Sequence, residues 1–159
     1  MTVPTPQAIV AIRAWYRLDR AFASVNRWLQ HTYHVTGEQI GIARIVAEHD
    51  VWSLAELRDR LSMHPATLGQ SLARLEARGF VQIDHDQADK RRRLIRLTSA
   101  GRDLLAALPV VGPVRLRTAT ADPAELDALA AAFNQAVDLF GLQLWADDPN
   151  LIDTKEKLL

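Results

Sequence analysis

The stretch that decides the fold begins with SLAELRDRLSMHPATLGQSLARLEARG (53–79). Ser53 and Glu56 have the spacing of a capping box, which predicts a short helix that begins there. Pro65 begins a second helix, since proline is favoured at the first helical position. Gly79 ends it, because glycine adopts the left-handed conformation of a helix C-terminus at little cost. Two short helices joined by a tight turn predict a helix-turn-helix.

The stretch continues with FVQIDHDQADKRRRLIRL (80–97), where the pattern becomes strand-like. The apolar-rich runs 80–83 and 92–97 are separated by the polar loop 84–89. Two short strands joined by a polar loop predict a β-hairpin. Because a hairpin that directly follows a helix-turn-helix is a wing, the sequence predicts a winged helix-turn-helix.

Helices are predicted on both sides of this winged region, from apolar spacing, capping residues and prolines. The predicted ranges are 6–33, 36–48, 99–108, a brief turn at 114–117, and 123–140, with a frayed, polar end at 147–159. Thr36 and Gln39 form a second capping-box spacing. The predicted fold class is therefore mainly α with a small β-hairpin wing.

Composition excludes several functional classes. The chain of 159 residues is 48% hydrophobic and 24% charged, which is typical of a globular protein. No stretch approaches the roughly 18 apolar residues of a membrane span, so no membrane partner is expected. The N-terminus lacks the pattern of a signal peptide, and we expect a cytoplasmic protein. The absence of cysteine excludes disulfides, thiolate nucleophiles and thiol redox switches.

The formal net charge is zero, but the charges are unevenly distributed. The positive residues of one segment have no acid among them: Lys90, Arg91, Arg92, Arg93, Arg96 and Arg102. Acids dominate from Ala119 onward. A basic segment of this kind predicts an anionic partner for one surface, and a solvated strand edge is the plainer alternative.

The wing makes the chain resemble the MarR family of transcriptional regulators. The wing of that family reads Asp-x-Arg, three residues, an aliphatic residue, any residue, then Leu-Thr-x-x-Gly. The matching positions here are Asp89, Arg91, Ile95, Leu97, Thr98 and Gly101. LEARGFV (75–81) is also similar to the family's Leu-Glu-x-x-Gly-aliphatic-Val. The chain departs from the family at Ile83, where members usually carry arginine, and at Gly69 and Gln70, where they often carry Ser, Thr or Arg.

The resemblance implies a winged helix-turn-helix with N- and C-terminal dimerisation helices in a single chain, 1–159. The DNA-binding lobe would be 36–98, and the dimerisation region would be 5–34 and 99–145. A homodimer would bind a near-palindromic operator in double-stranded DNA, with half-site centres about 10–10.5 bp or a multiple apart. Repression, relieved by a small aromatic or phenolic effector, is the function implied. No cofactor is expected.

The helix that begins at Pro65 has a small or polar face opposite its leucines. The residues assigned to DNA on this face are Ala66, Thr67, Gln70 and Arg74, with Ser71 at its border. Gln70 can form paired hydrogen bonds to adenine and Arg74 to guanine, and small methyl groups can contact thymine. A solvated helix face would have the same composition, and the matched wing favours the DNA interpretation.

In the wing, the resemblance implies that Arg91 enters the minor groove, where a narrow A·T-rich segment concentrates negative potential. Asp89 would steady the loop or orient this arginine; an ordinary turn residue is the plainer interpretation. The remaining cations are assigned to phosphates: Lys90, Arg92, Arg93 and Arg96. Strand alternation means that not all of them can face DNA.

An effector pocket is expected between the DNA-binding lobe and the dimerisation helices, as in the resembled family. The candidate pocket residues are Trp15, Tyr16, Trp28, Tyr33 and His34. The plainer interpretation of each is a side chain of the core. His31 and His34 lie three apart, but helix C-terminal caps explain them without an ion, and no metal site is assigned.

Two other functional classes compete with a DNA-binding regulator. An enzyme is not predicted, because the sequence has no phosphate loop, nucleophile elbow or metal-ligand cluster. A winged helix used for protein–protein interaction is the second, and Gly69, Gln70, Ile83 and the zero net charge favour it. The arginine-rich wing argues against it, and salt-sensitive duplex binding would separate the two.

Overall fold

The computed structural model describes residues 3–147, and these form seven α-helices, one 3-10 helix and three strands. The α-helices are α1 (Pro6–Tyr33), α2 (Gly37–Val46), α3 (Leu54–Leu61), α4 (Pro65–Ala77), α5 (Ser99–Ala107), α6 (Pro123–Leu139) and α7 (Gln143–Asp147). The strands are β1 (Trp52–Ser53), β2 (Val81–His85) and β3 (Arg93–Leu97), and the 3-10 helix is Pro113–Thr118. The mainly α class with a hairpin wing is confirmed. Beyond Asp147, the end that was predicted to be frayed lies outside the described residues.

The chain divides into two units, Met1–Arg117 and Thr118–Leu159. The first contains α1 to α5 and the sheet, so the unit boundary lies after α5 and not before it. Within the described part of the second unit, α6 begins at its N-cap Asp122, which accepts a hydrogen bond from the Ala124 N–H, with Pro123 at the first helical position.

The predicted capping residues Thr36 and Ser53 begin α2 and α3. Thr36 Oγ1 accepts from the Gln39 N–H at 3.1 Å, and Gln39 Oε1 accepts from the Thr36 N–H at 3.0 Å. Ser53 and Glu56 form the second complete capping box. Gly79 follows α4 with φ +73°, a conformation that glycine adopts without the strain of a Cβ.

The three strands form an antiparallel sheet in the order β1-β3-β2. In the hairpin, Ile83 pairs with Ile95 and His85 with Arg93. Because side chains alternate along a strand, these four share the face that carries the buried Ile95, whereas Arg96 lies on the outer face. β1 was not predicted; it pairs Trp52 with Ile95 and completes the sheet.

The core of the first unit lies among α2, α3, α4, α5 and the sheet. Its largest fully buried side chains are Ile42, Leu57, Leu68, Leu72, Leu75, Ile95, Val35, Val46 and Val81. Leu104 and Leu105 bring α5 into the same core. α5 therefore packs on the lobe that it was predicted to flank, and its role in dimerisation stays a prediction.

The segment after α5 is fixed to α2 by polar contacts. Arg44 on α2 donates from Nη2 to the carbonyl oxygen of Leu108 at 3.0 Å and to that of Pro109 at 3.2 Å. Further on, Arg117 donates to Glu48 Oε2 at 2.8 Å. No helix within residues 3–147 combines the length and apolar character needed to cross a membrane.

Candidate nucleic-acid interface

The helix α4 divides into a buried face and an exposed face. Leu68, Leu72 and Leu75 are at most 2% exposed and hold the helix on the core. The exposed face carries the residues that the sequence assigned to DNA: Ala66, Thr67, Gln70 and Arg74. Pro65 begins the helix behind His64, whose Nδ1 accepts from the Ala66 N–H at 3.3 Å. The face is therefore open along its whole length.

Ser71, which was predicted at the border of the exposed face, lies on the buried side of α4. Its side chain is buried, with 6% exposure, and its hydroxyl donates to Glu38 Oε1 at 2.7 Å. Its side chain is therefore turned toward α2 and does not lie on the exposed face, and a contact of Ser71 with DNA stays a prediction. Ser71 instead joins α4 to the first turn of α2, a role that neither residue's local sequence indicated.

The loop of the wing, residues 86–92, is held by its own hydrogen bonds. The Asp86 N–H donates to the Arg92 carbonyl oxygen at 2.9 Å and closes the loop. Asp89 Oδ1 accepts from the Arg91 N–H at 3.0 Å, and Asp86 Oδ1 accepts from the Ala88 N–H at 2.9 Å. Asp89 therefore steadies the backbone of Arg91, as expected of an aspartate in a turn.

The wing cations differ in what surrounds them. Lys90 and Arg91 are exposed near the tip of the loop, and no ion pair within residues 3–147 engages Arg91. Arg93 lies on the helix-facing side of β3, opposite His85, and Arg96 lies on the outer face opposite Gln82. Arg93 and Arg96 therefore lie on opposite faces of β3, and the expectation that not all of these cations face DNA stays a prediction.

Arg92 differs from the others because it is ion-paired inside the molecule. Its Nη2 lies 3.8 Å from Glu56 Oε2, and its Nη1 lies 3.9 Å from Asp86 Oδ2. Hydrogen bonds from the Ser53 side chain and backbone lower the pKa of Glu56, and the charge of Arg92 lowers it further. The predicted phosphate contact of Arg92 therefore competes with two carboxylates.

An open groove of about 460 Å³ lies between the helix-turn-helix and the wing. Cationic side chains line it on both sides: Arg58 from α3, and Arg91, Arg92 and Arg93 from the wing. A concave surface with one dominant sign of charge concentrates ions of the opposite sign. The groove is thus suited to an anionic backbone, in agreement with the basic segment in the sequence.

The family departures Gly69 and Ile83 lie together at a smaller cavity of about 240 Å³ between α4 and the hairpin. Ile83 packs against the core, and its N–H donates to Glu76 Oε1 at 3.1 Å. A Cβ added at Gly69 would meet no atom within 4 Å, so packing does not require glycine there.

The five candidate effector residues are spread along α1 and its end. Trp15, Tyr16 and Trp28 are 44%, 56% and 41% exposed, so these three are not core side chains of the protomer. Tyr33 is half-buried and meets Trp28 edge-on at 5.7 Å, and His34 is the C-cap of α1 with φ +56°. The two cavities described above are lined by other residues. Within residues 3–147, no group of three or more His, Asp or Glu could hold a metal ion.

Three acidic residues at this interface were missed as positioning groups: Glu38, Glu56 and Asp86. Glu56 was identified only as the second member of a capping box. Its further partner Arg92 lies in a different element, and no pattern within the helix could indicate that contact.

A helix-turn-helix followed by an ordered, basic hairpin defines the class of winged-helix proteins. A model of the MarR family matches residues 34–92. The transcriptional regulator HosA of Escherichia coli O157:H7 is 35% identical over 101 residues, which cover 63% of this chain and 75% of HosA. The chain belongs to the MarR family of transcriptional regulators.

Other relatives agree with this assignment. The HTH-type transcriptional regulator TtmR of Methylorubrum extorquens is 34% identical over 122 residues, or 74% of this chain and 63% of TtmR. Among solved structures, the MarR family regulator Sco3205 of Streptomyces coelicolor, in complex with DNA, has a TM-score of 0.59 at 20% identity. That match covers 90% of this chain and 92% of Sco3205, and it shows the fold.

Proposed function

We propose that this MarR-family protein is a sequence-specific double-stranded-DNA-binding regulator, a homodimeric repressor that a small-molecule ligand relieves. One observation carries the DNA-binding part of the proposal. The exposed face of α4 lies in the same unit as a wing whose loop is fixed by its own hydrogen bonds and presents Lys90 and Arg91. A fixed loop loses little conformational entropy when it binds, which favours affinity.

The residues have separate roles in this proposal. Gln70 and Arg74 on α4 read base edges in the major groove, with Ala66 and Thr67 allowing close approach. Arg91 enters the minor groove, and Asp89 holds its backbone. Lys90 and Arg93 bind phosphates, which supplies affinity and salt dependence without sequence preference.

Homodimerisation is supported by apolar side chains that the protomer leaves exposed. On α1 these include Ile9, Ile12, Trp15, Leu18 and Phe22, and on α6, in the other unit, Leu129 and Phe133. Exposed apolar surface of this extent is typical of an interaction site. A twofold-symmetric dimer presents two wings and two copies of α4, so its operator is a near-palindrome. Such a dimer represses by occupying DNA that transcription needs.

The effector part of the proposal rests on the same exposed helix. A solved neighbour with a TM-score of 0.52 at 24% identity is BpsR of Bordetella bronchiseptica, whose DNA binding is regulated by 6-hydroxynicotinic acid. Trp15, Tyr16 and Trp28 are exposed in one protomer, so a pocket that contains them requires a second surface. A set of phenolic and aliphatic acids that never changes DNA affinity or melting temperature would contradict this part.

The decisive experiment titrates fluorescent duplexes from the DNA that flanks the protein's own coding region, at two salt concentrations. Arg91→Ala should weaken specific binding about 10- to 100-fold, the range for one good groove contact. Arg96→Ala is the matched control: it removes the same charge from the same hairpin but on the outer face, and in this proposal Arg96 is the strand cation that does not face DNA. It should change affinity much less.

Weak binding that ignores sequence and is unaffected by Arg91→Ala would contradict the proposal. The winged helix would then be an interaction module for another protein, the alternative that Gly69, Gln70 and Ile83 favour.

A further inference from the structure

Arg92 connects the wing loop to α3, which is distant from it in sequence. It is the last residue of the wing loop, and its guanidinium lies 3.8 Å from Glu56 in the first turn of α3 and 3.9 Å from Asp86 at the start of the loop. Its backbone also closes the loop, through the Asp86 N–H to the Arg92 carbonyl oxygen and the Arg92 N–H to the Asp89 carbonyl oxygen.

Glu56 is a fixed acceptor for this arginine. Its Oε2 accepts from the Ser53 N–H at 2.9 Å and from the Ser53 hydroxyl at 2.6 Å. Ser53 is itself 5% exposed and pairs with Leu94 in the sheet. These contacts restrict the carboxylate to one orientation, so the helix-turn-helix offers the wing a charged anchor with a defined position.

We propose that Glu56 and Arg92 form a positioning pair that holds the wing at a fixed angle to the helix-turn-helix. Arg92 then acts on DNA binding through the position of the neighbouring Arg91, and it does not itself contact a phosphate. This inference rests on the proposed function, because the pair matters only where the wing has a target. An exposed ion pair adds little to the free energy of unfolding, but a preorganised loop binds with a smaller entropic cost.

Glu56→Gln distinguishes positioning from a phosphate contact by the sign of its effect. Glutamine keeps an acceptor for the Ser53 N–H, so the cap of α3 is retained, while the anchor for Arg92 loses its charge. The positioning pair requires DNA affinity to fall about two- to fivefold, the range of one exposed ion pair. If Arg92 bound a phosphate, removing its competitor would instead raise the affinity.

The salt dependence of Arg92→Gln supplies a second discriminating measurement. A side chain that neutralises one phosphate contributes about 0.9 to the slope of log affinity against log salt concentration. Arg92→Gln should lower the affinity and leave this slope unchanged. Lys90→Gln is the matched control, because Lys90 is exposed in the same loop and is assigned to a phosphate; its slope should fall by about 0.9.

The double variant tests the pair as a unit. Residues that act through one contact show non-additive effects, so Glu56→Gln with Arg92→Gln should bind DNA no more weakly than the weaker single variant. Fully additive losses would overturn the proposal.

A measurement without DNA separates this inference from the proposed function. Hydrogen exchange of the Asp86 and Arg92 amides in the free protein should be several-fold faster in Glu56→Gln and Arg92→Gln, and unchanged in Lys90→Gln. Unchanged exchange in all three variants would refute the positioning pair, whatever the protein binds. Faster exchange together with no specific duplex binding by the wild type would uphold the pair and refute the proposed function.

Discussion

Apolar residues are buried in the core of the first unit, whereas most of those on the helices α1 and α6 are not buried. In α2, α3, α4 and the sheet the large apolar side chains are buried or half-buried, and Leu57, Leu75 and Ile95 are 0% exposed. In α1, a helix of 28 residues, only Leu29 is buried, and α6 buries none. All these elements are amphipathic in sequence. Helical periodicity therefore predicts an apolar face, but it does not indicate whether the same chain buries that face.

The first prediction tests how closely the buried lobe is packed, by adding volume to it. Gly101 lies in α5, where a Cβ would collide with the carbonyl oxygen of Phe80 and lie 2.8 Å from a side-chain carbon of Leu97. Because a backbone oxygen cannot move aside cheaply, Gly101→Ala should lower the free energy of unfolding by about 3 kcal/mol. Urea denaturation at one fixed protein concentration measures the loss.

A loss below about 0.5 kcal/mol would contradict that expectation. It would mean that α5 can shift away from β2 and β3, and hence that the lobe is packed less closely than its buried leucines indicate.

The second prediction tests the exposed apolar face of α1. Ile12 on α1 is 47% exposed in the protomer. If a second copy covers it, Ile12→Glu buries an unpaired charge at the interface and should raise the dimer dissociation constant at least about 30-fold, the scale of an interface hot spot. Sedimentation velocity over a dilution series measures the change.

Arg17→Glu is the control, because Arg17 is an exposed residue of the same helix outside its apolar set. Arg17→Glu should raise the dimer dissociation constant much less than Ile12→Glu does, although it changes the net charge more. Equal effects from the two variants, or a wild type that stays monomeric, would show that the apolar face of α1 is covered by something else.

The features predicted correctly from sequence are those determined by neighbouring residues. The capping pairs Thr36 with Gln39 and Ser53 with Glu56 marked helix starts, and Gly79 marked the end of α4. Each signal acts over a few residues and depends on backbone groups that are present in any fold. The hairpin was found in the same way, although β2 extends to His85 and the loop starts later than predicted.

The features missed are those that depend on a distant partner. β1 has two residues, too few to show a period, and it exists because β3 pairs with it. Ser71 looked like a border residue of the exposed face until Glu38, from another helix, fixed its direction. The exposure of Trp15, Tyr16 and Trp28 likewise depends on which surfaces α1 meets, and single-chain periodicity carries no information about that.

The smallest predicted effect compares a second glycine of the same unit with Gly101. Gly69 lies in the interior of α4, is exposed, and has no atom within 4 Å of the position that a Cβ would take. Glycine costs a helix about 1 kcal/mol relative to alanine, so Gly69→Ala should raise the free energy of unfolding by up to that amount. Thermal denaturation should show a gain of roughly 2–4 °C for a domain of this size.

Measuring DNA binding by Gly69→Ala also tests whether the α4 backbone at Gly69 contacts the DNA. Gly69 lines the cavity beside the hairpin and lies next to Gln70 on the exposed side of α4. If only side chains of α4 read the bases, one added methyl group should change the affinity less than about threefold, well under the cost of a lost base contact. A stabilised variant that loses most of its DNA binding would place the α4 backbone at Gly69 against the DNA, because only such close contact would exclude a methyl group.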